Sequence, residues 1–144
     1  MLIKQIPFYR SNNKSVTFFK PINYVNKGVF DENDFAIFGN ISTGFDQQSI
    51  IDSFEQNNAF KDSRMQTDVQ HILLSFNEFD KANITHEMLV DLTDKFLEIR
   101  GYDDCVVWDR VHYGKNIHLH LICSQNYYRS SKSCNIGAKK RYME

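Results

Sequence analysis

The apolar positions of this chain recur with two different periods. Between Val69 and Phe76, Ile72, Leu74 and Phe76 alternate with His71, Leu73 and Ser75, which predicts a strand with two unlike faces. Met88, Leu89, Leu92, Phe96 and Ile99 then recur at helical spacing, with Thr85 placed to start a helix and Gly101 to stop it. Cys105 to His112 and Ile117 to Ser124 read as two strands joined through Tyr113-Gly114-Lys115-Asn116, a hairpin.

The first half is less regular. Leu2 to Ile6 predicts a short strand ended by Pro7. Val16, Phe19, Ile22 and Val25 have helical spacing; Pro21 suits a first turn and Gly28 a C-terminal cap, so the regular helix is expected from about Pro21 to Lys27. Phe35 to Phe38 is a candidate strand, and Asp46 to Asn57, with Ile50, Ile51 and Phe54 on one side, a candidate short helix. Elements in this order predict an α+β domain, a central antiparallel sheet with helices packed on it.

Composition adds that the 144 residues make one domain that needs no staple, and 42% hydrophobic content excludes a disordered chain. The formal net charge of -1 argues against a nucleic-acid partner until it is resolved along the chain. Residues 1–30 carry five basic and no acidic side chains, 31–109 carry five against seventeen, and 110–144 carry seven against one. If the two ends fold together they make one basic face on an acidic body, a phosphate-binding footprint; otherwise they are solvated ends. Three cysteines are an odd number at no zinc-like spacing, and no apolar run has membrane length. The expectation is a cytoplasmic protein with Cys105 and Cys123 in the core and Cys134 as a candidate exposed thiol. Lys139 to Glu144 looks like the start of a helix cut off, as if the protein continued.

Candidate chemistry centres on the histidines. His118 and His120 share one strand face, with backbones roughly 6.5–7 Å apart, so both rings can reach one ion. A plain four-residue loop pairs residue 112 with 117 and turns His112 away, whereas a five-residue or bulged connection pairs it with 118 and brings three imidazoles together. His71 is the reserve ligand. His86 is expected to be exposed and without a role.

The run His71-Ile72-Leu73-Leu74-Ser75-Phe76, the helix after Thr85, and the strands ending in His112 and containing His118-Leu119-His120 resemble the relaxase or mobilisation nuclease domain of the HUH endonuclease superfamily. The resemblance implies a relaxase-like domain over 1–144, the N-terminal part of a longer protein. It implies a site- and strand-specific DNA nickase serving plasmid or transposon mobilisation, acting on single-stranded DNA at a transfer origin with accessory mobilisation proteins. His112, His118 and His120 would hold a divalent ion, Tyr24 would be the nucleophile, and Ser75 would contact DNA near the cleaved phosphate. Lys20, Lys27, Arg110 and Lys115 are candidate phosphate contacts. Tyr9, Tyr127 and Tyr128 are competing nucleophiles, the last two fitting the related single-strand transposases; Tyr127-Tyr128-Arg129 also suits base stacking. A non-catalytic DNA-binding module on the same fold is the alternative from another class.

These residue types suit the chemistry. A phosphodiester repels nucleophiles, and an ion on its non-bridging oxygens neutralises and orients it. A phenol becomes a competent attacker once its phenolate is stabilised, and the phosphotyrosyl link keeps the bond energy for rejoining. The resemblance implies Mg²⁺ or Mn²⁺, and imidazole ligands favour Mn²⁺.

Overall fold

The computed structural model describes residues 2–9, 14–26, 34–41, 44, 46–62, 64 and 67–134, without the side chains of residues 6–9, 14–17 and 19. Lys27, Gly28 and the segment from Lys139 to Glu144 lie outside the described residues, as do the side chains of Tyr9, Val16 and Phe19.

Among the described residues, five strands form one antiparallel sheet: β1 (Leu2–Tyr9), β2 (Phe35–Gly39), β3 (Thr67–Ser75), β4 (Cys105–Tyr113) and β5 (Ile117–Tyr127), in the spatial order β1-β3-β5-β4-β2. The α-helices α1 (Lys14–Asn26), α2 (Gln47–Asn58) and α3 (His86–Arg100) pack on it. The architecture is α+β, as the element order predicts. Among the described residues, no helix is long and apolar enough to cross a membrane.

Each sheet face has its own apolar cluster. On one, Ile72, Leu74, Val107, Val111, Leu119 and Leu121 are buried with Leu89 and Leu97 of α3. On the other, Val69, Trp108 and Ile122 are buried against Phe18, Ile22 and Val25 of α1 and Ile50, Ile51 and Phe54 of α2. Removing a large apolar side chain from water stabilises by about 1.5–3 kcal/mol, so the two clusters hold the layers together.

The covering of the two faces is unequal. Along β5, burial alternates from Ile117 to Leu121 and then becomes continuous from Leu121 to Ser124. Along β5 the α3 side is closed at Ile117, Leu119, Leu121 and Cys123, while on the α1–α2 side full burial begins at Ile122. His118 and His120 stand where that helical layer stops.

Three expectations are corrected. The first strand runs through Pro7 to Tyr9, because β1 is an edge strand, where a missing N–H is tolerated. The first helix begins at Lys14, with Pro21 inside it; the proline forfeits one helical hydrogen bond, and burial of Phe18, Pro21, Ile22 and Val25 holds the element together. Cys134 is buried and joined to Cys105 in a disulfide. Its backbone N–H donates to the Gln125 carbonyl at 2.7 Å and Ser133 bridges to Asn126, which pins this segment beside β5.

The α3 boundaries follow from capping. Thr85 accepts from the Met88 N–H at 3.2 Å, and Gly101 adopts the left-handed conformation, φ 74, that closes the C-terminus. Thr85→Ala is expected to cost about 1 kcal/mol, read as a lower urea midpoint at unchanged slope.

Candidate functional site

The β4–β5 hairpin decides the site. His112 pairs with His118 and Tyr113 with Ile117, so the connection carries the odd residue that turns His112 to the same face as His118 and His120. On the next strand His118 pairs with Ser75 and His120 with Leu73, which places His71 on that face too. Arg110 pairs directly with His120.

His120 is the hub. Its ring centroid lies 5.3 Å from that of His71, 5.1 Å from His112 and 6.5 Å from His118. The closest approach is between His71 Nε2 and His120 Nδ1, at 3.0 Å. Above them runs the C-terminal end of α1, where the Tyr24 ring meets His71 edge-on at 6.1 Å between centroids. Tyr24 is 65% exposed, an unusual setting for a ring on a packed helix.

His112 is held from two sides. Its Nδ1 lies 3.2 Å from Asp34 Oδ2 and its Nε2 3.2 Å from the Val25 carbonyl, one of the carbonyls that a helix end leaves unsatisfied. Both partners are acceptors, so the ring donates to both only when both nitrogens carry protons. Asp34 also accepts from the Tyr113 N–H at 2.7 Å and so anchors both the ring and the hairpin. Asp34 is a residue that sequence reasoning missed, because no spacing links it to a histidine 78 positions away.

The other three rings are pushed toward the neutral form. Burial lowers His71 to about 4. Burial, then the neighbouring His71, His112 and His118, lowers His120 to about 3. His118 is lowered by burial and by His112. Neutral imidazoles are the form that ligates metals, and two nitrogens bound to one ion stand about 3.0–3.4 Å apart, the range of the His71–His120 contact. The donor set therefore suits a divalent ion in kind. As they stand, no three His, Cys, Asp or Glu side chains among the described residues are grouped to hold one.

The remaining candidates are spread more widely. Ser75, half-buried, lies on the histidine face beside His118. Lys20 is exposed on α1. Lys115, at the hairpin tip, is exposed 3.6 Å from Glu78. Tyr127 packs with the α3-side cluster and Tyr128 with the α1–α2 cluster. His86 is exposed, as expected, and lies against the Phe35 and Tyr113 rings.

A lowered histidine binds fewer protons folded than unfolded between its own value and the ordinary 6.5, so stability is full above 6.5 and falls as the pH drops. The urea midpoint is expected to decline between pH 6.5 and about 4, with His120 extending the loss toward 3. His71→Asn should flatten that decline; a midpoint constant across the window overturns the account.

A scan against protein-family models, a search of curated proteins and a search of solved structures each found no match.

Proposed function

We propose that the chain is a metal-dependent relaxase of the HUH kind, nicking single-stranded DNA at a transfer origin through attack by Tyr24. The observation that supports this most is the contact of an exposed Tyr24 with His71, the buried member of a cluster of four imidazoles on one sheet face. A structural tyrosine buries its ring; this one stands in solvent beside the polar cluster.

His71, His118 and His120 would hold a divalent ion, and His112 would join them by releasing the Val25 carbonyl. When bound, the ion would supply positive charge to the non-bridging oxygens of the scissile phosphate. Tyr24 Oη forms the new bond to phosphorus as the bond to the 3′ oxygen breaks. The phenolic proton leaves to solvent and the 3′ oxygen takes one up, which yields a 5′-phosphotyrosyl link and a free 3′-hydroxyl. Rings titrating near 3 and 4 are weak bases toward a phenol near 10, so their part is to hold rather than to deprotonate. Arg110, across the ladder from His120, supplies a guanidinium on the same face. Accessory mobilisation proteins would present the melted strand.

The engagement of both His112 nitrogens favours the second reading, a single-stranded DNA-binding module without turnover. Two measurements separate them. Incubation with Mn²⁺ and a random pool of single-stranded oligonucleotides is expected to give a covalent adduct on a denaturing gel, and Tyr24→Phe to abolish it. An adduct undiminished in Tyr24→Phe moves the nucleophile elsewhere. Calorimetry should show Mn²⁺ binding at neutral pH that weakens in His120→Ala; no binding sinks the enzyme reading.

A further inference from the structure

The C-terminal end of α2 and the turn after β5 enclose a separate cavity of about 240 Å³, lined by Ser53, Gln56, Asn57, Phe60, Tyr128 and Arg129. Eight strand positions separate Tyr128 from His120, roughly 25 Å, so the cavity belongs to the far end of the molecule.

Its turn is built at a cost. Arg129 has φ 53, a left-handed conformation that arginine seldom takes. Buried polar groups enforce it: the Arg129 N–H donates to Asn57 Oδ1 at 2.6 Å, and Asn126 Nδ2 donates to the Asn57 and Ser130 carbonyls, both at 2.9 Å. Asn57 and Asn126 are themselves buried. What this strained turn achieves is to lay the Arg129 guanidinium over the Tyr128 ring, 5.0 Å from its centroid. Arg129 is exposed, and among the described residues no carboxylate pairs with it. Phe60, half exposed, adds a second aromatic ring to the lining.

A guanidinium seated on an aromatic floor, with another ring beside it, presents flat π surfaces to a flat ligand, and its unneutralised charge suits an attached phosphate. The volume equals that of about eight water molecules, the scale of one nucleobase. We propose that this cavity is a stacking subsite for one base of a single-stranded DNA, with the adjoining phosphate on Arg129. The choice of DNA strand rests on the nuclease reading above. The ring-plus-phosphate chemistry is shared by a free nucleotide, and the test separates the two.

Fluorescence anisotropy of a labelled short oligothymidylate with the whole chain reads the subsite directly. Arg129→Gly suits the left-handed turn and Phe60→Ala alters an exposed side chain, so both variants keep the fold. Each is expected to weaken binding about tenfold, in line with the loss of one base stack. Arg129→Gly should also make the salt dependence shallower by about one phosphate contact. An abasic strand of equal length should bind wild type and Phe60→Ala alike, while Arg129→Gly still loses its phosphate contact. Equal affinity of wild type and both variants for oligothymidylate overturns the subsite. Competition by thymidine monophosphate as effective as that by the strand assigns the cavity to a free nucleotide and overturns it as well. Strand binding that needs Arg129 but gives no adduct with Mn²⁺ leaves the subsite standing while the nuclease reading fails.

Discussion

The register of the β4–β5 hairpin is the constraint on which the site depends. Side chains alternate along a strand, so a shift of one residue would send His112 to the α3 side and bury an imidazole beside Leu119 and Leu121. The pairing of His112 with His118 is secured from both ends. Inside the sheet, Ile117, Leu119 and Leu121 are fully buried and hold β5 in phase. At the tip, Asp34 takes the Tyr113 N–H and the His112 ring together.

The second constraint is the reach of the helical layer. α1 and α2 bury Trp108 and Ile122 but stop short of His118 and His120, and the last turn of α1 hangs over the edge of the gap. Tyr24 therefore stands in solvent while its neighbours Ile22 and Val25 are buried. The electrostatic result is a graded cluster. His71 and His120, the more deeply buried rings, lose basicity mainly through desolvation, and mutual repulsion adds to the effect on His120.

On the opposite side of the sheet the core accepts polar groups of its own. Asp109 is fully buried with neither carboxylate oxygen hydrogen-bonded among the described residues, and burial followed by the charge of Asp94 pushes it strongly toward the neutral acid. Arg100, also buried, donates to Gln5 Oε1 at 2.6 Å, and two of its nitrogens have no hydrogen-bond partner among the described residues. Buried polar groups of this kind reduce stability, and the apolar contacts of α3 have to outweigh them.

Much of this was legible in the residue pattern, because period and capping are local properties. The strand around His71, the helix from Thr85 to Gly101, both hairpin strands and the shared face of His118 and His120 follow from alternation and cap chemistry alone. The pattern failed where a distant partner decides the outcome. Pro7 sits in a strand because β1 lies at the sheet edge, α1 starts early because its apolar side finds α2, and Cys134 is buried because its backbone is tied to β5. The sequence by itself left the orientation of His112 open between two loop geometries. Only the tertiary structure decided it, since strand register is fixed by burial across the whole sheet, and the anchoring carboxylate comes from Asp34, whose place beside the hairpin no local rule can foresee.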